Sequence, residues 1–251
     1  LGAIIAEAIA AFSVLIVMGF LFKKYFDRRR EAALSLAVAF GFWGSGGLSV
    51  FIFALLQYIY RQPINDIELL QYASWGINIG YALSAISNIF MVLFVSQIYS
   101  QTILFRQTKK VIPIINAILN GITIGLVLNT LSSNPQNPLY PIPQTVYHLL
   151  LTFMAFGMII GFSSFAYRNA SLRWEKGGFG FIISSGVFGI LVYLSFALDV
   201  ILPDIVPALE GGYTPFNYLG WAFAVLMALF AYAGYAMPEG LRNMFKEEAA
   251  K

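Results

Sequence analysis

The stretch that decides the fold is PFNYLGWAFAVLMALFAYAGYA, residues 215–236. It contains no lysine, arginine, histidine, aspartate or glutamate, and one helix of about 20 mainly apolar residues crosses the core of a bilayer. Six earlier runs have the same character, at residues 3–22, 33–58, 69–99, 111–131, 145–167 and 177–202. The sequence therefore predicts an all-α integral membrane bundle of seven transmembrane helices.

Composition supports this prediction for the whole chain. Of the 251 residues, 59% are hydrophobic and 11% are charged, whereas a soluble domain has about 25% charged residues. The connections between the apolar runs are too short to hold a second folded domain. We expect one seven-helix domain over residues 1–237 and a cytoplasmic tail over residues 238–251.

The stretch MPEGLRNMFKEEAAK, residues 237–251, contains the tail and has a proline suited to the first turn of a helix. Leu241, Met244 and Phe245 then fall on one side of that helix. The pattern predicts a short amphipathic helix on the inner membrane surface. The alternative is a frayed polar end.

Charge predicts the orientation of the bundle. Of the 15 lysines and arginines, 14 lie in KKYFDRRR, SQTILFRQTKK, YRNASLRWEK and the tail, which alternate topology places on one side of the membrane. Basic residues accumulate in cytoplasmic loops, so we expect the N-terminus outside and the C-terminus inside the plasma membrane. Arg61 is the one exception. The net charge of +3 then reflects topology and contact with anionic lipids, and nucleic acid is not an expected partner.

Residue counts limit the chemistry. The chain has no cysteine and one histidine, His148, which excludes disulfides, thiolate metal sites and a haem held by two histidines. No cofactor and no metal site is predicted; a weak site formed by His148 with Asp199 or Glu7 is the alternative. No nucleophile, base and orienting group can be assembled within the membrane, so we expect a protein that is not an enzyme.

Two acidic residues fall inside the apolar runs near the predicted outer surface. Glu7 lies about one turn into the first run, and Asp199 lies near the outer end of the sixth, four residues after Ser195. Ionisable groups within a membrane span mark function by default. One interpretation is that both carboxylates reach interfacial water. The other is an acidic outer vestibule that receives an ion, a proton or a polar ligand group.

Uncharged polar residues recur at helical spacing in the third and fourth runs. Such stripes face the interior of a bundle because lipid cannot satisfy their hydrogen bonds. They indicate either hydrogen bonds between helices or a ligand pocket in the outer half. The candidate ligand-binding residues are Trp75, Asn78, Tyr81, His148, Tyr193, Asp199 and Trp221.

Two family resemblances bear on function. QYASWGIN in the third run is similar to the tyrosine-x-aspartate-tryptophan stretch of microbial rhodopsins, with Tyr72 and Trp75 matching and Ser74 at the place of the counterion carboxylate. That family holds retinal on a lysine of its seventh helix, and residues 215–236 contain none, so a retinal Schiff base is excluded. The arginine-rich turn followed by ALSLAVAFGFWGSGG also resembles the seven-helix sensory domains at the N-terminus of prokaryotic histidine kinases, which implies a sensor.

Three functions remain open from the sequence. The first is a sensor or ligand-binding module that acts through a separate protein partner in the membrane. The second is a non-catalytic accessory subunit of a larger, respiratory-type membrane complex, with GFWGSGG and GITIG as packing surfaces against other chains. The third is a small-solute transporter that uses Glu7 or Asp199.

Overall fold

The computed structural model describes residues 1–60, 66–108, 110–135, 138, 141–206 and 214–247, and its regular structure there is entirely α-helical. The predicted all-α class is confirmed. The long helices and two short ones are, in chain order, α1 (Gly2–Arg28), α2 (Glu31–Ile59), α3 (Asp66–Ile98), α4 (Ile103–Thr108), α5 (Val111–Ser133), α6 (Ile142–Asn169), α7 (Arg173–Ile205), α8 (Pro215–Ala236) and α9 (Glu239–Glu247).

Seven of these helices are long and apolar enough to cross a membrane, as the sequence predicts. They are α1, α2, α3, α5, α6, α7 and α8, and their most apolar windows have mean hydropathies between 1.6 and 2.4. The sequence did not predict α4, a single short helix inside the connection SQTILFRQTKK. The side of the membrane on which each terminus lies stays a prediction, and Arg61 and residues 248–251 are outside the described residues.

Six of the seven long helices form a closed ring. In that ring α1 contacts α2 and α8, α2 contacts α3, α3 contacts α6, and α7 lies between α6 and α8. The helix α5 packs against α3 and α6 from the outside. Because successive long helices run in opposite directions, α1, α3, α6 and α8 all begin at one end, which we call the amino-terminal end of the bundle.

Glycine allows a close contact between α2 and α3. A Cβ on Gly46 would lie 3.3 Å from the carbonyl oxygen of Gly80, so the two backbones approach closely only without a side chain. Next to them, the hydroxyl of Ser49 donates hydrogen bonds to the carbonyls of Gly46 and Gly76, at 2.7 and 3.2 Å. The segment GFWGSGG is therefore a packing surface within this chain, against α3 at Gly46 and against α1 at Gly41 and Gly44.

The chain turns sharply between α8 and α9. Met237 ends α8 in the left-handed conformation with φ 40°, which a residue with a side chain adopts at a cost of about 1–2 kcal/mol. The helix α9 then folds back against α7: the ring of Phe245 lies over Gly177 and contacts Phe181 edge-on. Arg242 lies 4.6 Å above the ring of Trp174. Met244 stays 64% exposed, so only part of the predicted apolar side packs on the bundle.

Candidate functional site

A hydrogen-bonded set of four side chains lies buried in the bundle. The indole nitrogen Nε1 of Trp43 on α2 donates to the hydroxyl oxygen of Tyr193 on α7, at 3.0 Å. The same hydroxyl pairs with Ser84 Oγ on α3. Ser84 Oγ is also 3.1 Å from Nε2 of His148 on α6. We call these four residues the polar chain, and they join four of the seven membrane helices.

Aromatic rings surround His148, which is fully buried with 0% exposure. The ring of Tyr81 meets the imidazole edge-on at a centroid distance of 5.2 Å, and the ring of Tyr193 does so at 6.2 Å. The imidazole has one nitrogen bonded to Ser84, whereas Nδ1 is buried without a hydrogen-bond partner in the described part of the chain. An unpaired buried polar group costs about 1–3 kcal/mol, so this atom marks the least satisfied point of the polar chain.

Trp221 joins the polar chain through Trp43. Their rings meet edge-on with centroids 6.3 Å apart, and Trp221 also meets the ring of Phe196 at 5.0 Å. The indole nitrogen of Trp221 is buried without a partner among the described residues. Gly47 makes room for this ring, since a Cβ there would lie 3.3 Å from Trp221 Cζ3.

Trp75 and Asn78 have a different role in the structure from the other candidate residues. Trp75 Nε1 donates to the carbonyl of Pro135 at 3.1 Å, and Asn78 Nδ2 donates to the carbonyl of Pro138 at 2.6 Å. Asn78 Nδ2 also donates to the carbonyl of Ser74 at 2.8 Å. Both side chains thus fasten the connection between α5 and α6 to α3, at the amino-terminal end of the bundle.

Asp199 lies in a third set of contacts, which connects the end of α7 to the start of α8. Its Oδ1 accepts from the backbone nitrogen of Thr214 at 2.8 Å and from the Thr214 hydroxyl at 2.6 Å, and its Oδ2 accepts from Asn217 Nδ2 at 3.2 Å. Thr214 also accepts from the Phe216 nitrogen and so caps α8. Three hydrogen bonds satisfy the oxygen atoms of the Asp199 carboxylate.

The carboxyl group of Glu7 is buried, and its hydrogen bonding is incomplete. Its side chain is 1% exposed, and Oε2 has no hydrogen-bond partner within the described residues. In this chain alone the carboxyl therefore does not reach water, contrary to one of the two interpretations from sequence. One turn further along α1, Ala11 lies against Gly47, the same glycine that contacts Trp221. Glu7 and Ala11 are four residues apart and therefore lie on the same face of α1.

The remaining polar stripe forms an amide cluster nearer the middle of the bundle. Asn88 on α3 donates to Thr152 Oγ1 on α6 at 2.8 Å, and Asn116 on α5 donates to the Asn88 carbonyl at 3.2 Å. Asn120 donates to the side chain of Asn116 at 3.1 Å. The bonds of Asn88 join α5 to α3 and α3 to α6, which is the interhelical role that the sequence allowed.

A cavity of about 10 Å³ lies in the other half of the bundle, lined by apolar residues such as Leu36 and Phe40 and by Ser185. It has room for about one water molecule, so it is too small for a ligand. None of the candidate ligand-binding residues lines this cavity.

Sequence reasoning missed two members of the polar chain. Trp43 was noticed only as part of the glycine-rich segment, although a tryptophan in the middle of a membrane span needs a partner for its N–H group. Ser84 lies between Tyr81 and Asn88 on the buried face of α3, but the sequence analysis did not select it.

Comparison with known proteins gives no relative: no family model, no curated protein and no solved structure matches this chain.

Proposed function

We propose that this chain is a non-enzymatic sensor of the plasma membrane that binds a small ligand in the amino-terminal half of the bundle and acts through a separate membrane partner. The observation that carries the proposal is the polar chain, which joins α2, α3, α6 and α7 and ends at the unpaired Nδ1 atom of His148. A ligand that bonds to that atom alters the hydrogen bonding of one residue of the polar chain, to which four helices contribute.

The surroundings of His148 support binding rather than catalysis. The groups in contact with the imidazole are the hydroxyl of Ser84 and the rings of Tyr81 and Tyr193. A general base is normally oriented by a second polar group and placed beside a nucleophile. Among the described residues the imidazole hydrogen-bonds to Ser84, whose oxygen is already engaged with Tyr193, so the geometry favours recognition.

The test measures thermal unfolding of the chain in lipid nanodiscs against a panel of amino acids, short carboxylates, amides, ketones, polyols and nucleosides. We expect at least one class to raise the melting temperature of wild type. The shift should disappear in His148→Leu and persist in Ser185→Ala. Ser185 is a suitable control because it also makes a buried hydrogen bond, to the carbonyl of Met227 at 2.8 Å, outside the polar chain. A panel that never stabilises wild type would contradict the proposal.

A second candidate function is an accessory subunit of a larger membrane complex. Two glycine pairs favour it: a Cβ on Gly121, Gly125, Gly157 or Gly161 would meet nothing within 4 Å. Pairs of glycines four residues apart on an exposed helix face allow another transmembrane helix to approach closely. Extraction in mild detergent, followed by size-exclusion chromatography and mass spectrometry, tests this role. Co-migrating membrane chains that are released by Gly121→Leu would establish it.

A third candidate is a small-solute transporter, and the buried carboxyl of Glu7 favours it. Buried acids within membrane spans recur in ion and proton pathways. The test is uptake by proteoliposomes of protons and of small solutes from the same panel. Uptake that stops in Glu7→Gln and continues in Asp199→Asn would assign transport to this residue, and absence of uptake in wild type would remove the candidate.

A further inference from the structure

We infer that His148 recognises the oxygen atom of a neutral carbonyl-type ligand, through an N–H group on Nδ1 whose position is set by the polar chain. The inference rests on the proposed ligand-binding function and names the class of ligand. It follows from which atom donates and which accepts in each hydrogen bond of the polar chain.

The assignment of donors and acceptors starts from Trp43. An indole nitrogen can only donate, so Tyr193 accepts from it at 3.0 Å. The tyrosine hydroxyl has a single hydrogen of its own, and its other partner is Ser84 Oγ. Tyr193 therefore donates to Ser84. This arrangement places the tyrosine hydrogen in a bond, whereas the reverse arrangement leaves it without an acceptor among the bonds of the polar chain.

The second half of the argument concerns Ser84 and His148. Having accepted from Tyr193, the serine hydroxyl uses its own hydrogen for the remaining partner, which is Nε2 of His148 at 3.1 Å. Nε2 is then an acceptor, and a neutral imidazole with one accepting nitrogen carries its hydrogen on the other. Nδ1 is thus an N–H donor, and it is the atom that the described residues leave without a partner.

A buried donor without a partner is stabilised by an acceptor, and the surroundings of His148 favour an uncharged acceptor. The imidazole has 0% exposure, and moving a carboxylate out of water into such a site costs several kcal/mol unless a cation compensates it. The lysines and arginines of the described residues lie at the opposite end of the bundle. The rings of Tyr81 and Tyr193 have their centroids 5.2 and 6.2 Å from that of the imidazole, and neither supplies a positive charge. A ketone or amide oxygen meets these requirements.

The first experiment determines the tautomer. Because His148 is the only histidine, protein labelled with ¹⁵N-histidine gives one imidazole signal set, recorded in nanodiscs at about pH 8, where an ordinary histidine is neutral. We expect the hydrogen on Nδ1. Ser84→Ala should abolish that preference, and Ser87→Ala, another buried serine of α3, should retain it. A hydrogen on Nε2 in wild type overturns the inference.

The second experiment tests the ligand class with two molecules of nearly equal shape. Cyclohexanone carries a carbonyl oxygen, and methylenecyclohexane replaces that oxygen with a CH₂ group. We expect saturable movement of the Nδ1 proton resonance to lower field with cyclohexanone and none with the hydrocarbon. Equal responses to both compounds, or no response to either, overturn the inference. A compound of the thermal panel that stabilises the protein without moving this resonance leaves the proposed function standing and overturns the ligand class.

Discussion

Trp43 and Tyr193 are 150 residues apart in the chain, and the indole nitrogen of the first lies 3.0 Å from the hydroxyl oxygen of the second. This bond crosses the interior of the bundle from α2 to α7. Because α2 and α7 do not follow one another in the chain, the bond exists only when the ring of helices has closed. It therefore reports the complete fold and not a local hairpin.

A double-mutant cycle measures this bond. Trp43→Phe and Tyr193→Phe each remove one partner and keep an aromatic ring, so the energy of their interaction isolates the hydrogen bond. We expect a coupling of about 0.6 kcal/mol, the mean for side-chain hydrogen bonds within membrane bundles. The measurement is unfolding in mixed micelles with increasing SDS. The cycle of Trp43→Phe with Tyr232→Phe is the control, since Tyr232 contacts Phe20 elsewhere in the bundle, and its coupling should be zero.

We expect the fold to tolerate a neutral side chain at position 7 and to be destabilised by a positively charged one. Glu7→Gln keeps the size and polarity of the side chain, so we expect the protein to fold with nearly unchanged stability. Glu7→Lys puts an ammonium group at a position with 1% exposure, and a charge within a membrane helix costs about 3 kcal/mol. The control is Glu31→Lys at the exposed start of α2, with an expected loss below about 1 kcal/mol. Equal losses at both positions would show that Glu7 is not buried.

Two glycines with different surroundings should respond differently to the same substitution. A Cβ on Gly46 would lie 3.3 Å from the Gly80 backbone oxygen, whereas a Cβ on Gly121 would meet nothing within 4 Å. We expect Gly46→Leu to destabilise the isolated protein by about 1–3 kcal/mol through overpacking. Gly121→Leu should change stability by less than about 0.5 kcal/mol. SDS unfolding of the two variants checks both values, and a reversed order would contradict the packing described for α2 and α3.

The attachment of α9 depends on the absence of a side chain at Gly177. A Cβ there would lie 2.7 Å from Cζ of Phe245, so Gly177→Val should push the ring away and release α9 from α7. We expect faster cleavage by trypsin after Arg242, measured by mass spectrometry over time. Phe245→Ala should have the same effect, whereas Met244→Ala, at a residue that is 64% exposed, should not. Unchanged cleavage in Gly177→Val would show that this contact does not hold α9.

Much of the fold was predictable because the bilayer constrains it strongly. A membrane span must satisfy its own backbone hydrogen bonds, so a long apolar run such as residues 215–236 has few structures to choose from. The short helix α4 was not predicted because six residues within a polar connection carry no such constraint. The helical tail was predicted from Pro238 and the spacing of Leu241, Met244 and Phe245, but its contact with Gly177 was not, since spacing within a helix does not identify the partner surface.

The candidate site was only partly accessible from sequence. Polar spacing along the third run indicated which face of α3 is buried, and Asn78, Tyr81 and Asn88 lie on it or beside it. Spacing does not reveal which helix faces that stripe, so Trp43 and Ser84 were not assigned to the site. For the same reason Asp199 was grouped with His148, although in the structure its oxygens bond to Thr214 and Asn217.

The sequence by itself determined the class of protein, the seven membrane-spanning helices and the residue types that the interior contains, because hydropathy and helical periodicity are properties of each segment alone. Only the tertiary structure decided which polar atoms meet. It joined Trp43, Tyr193, Ser84 and His148 into one chain and left Nδ1 of His148 and Oε2 of Glu7 without partners. The physical reason is that a hydrogen bond depends on distances of about 3 Å between atoms, and those distances between separate helices are set when the whole ring packs.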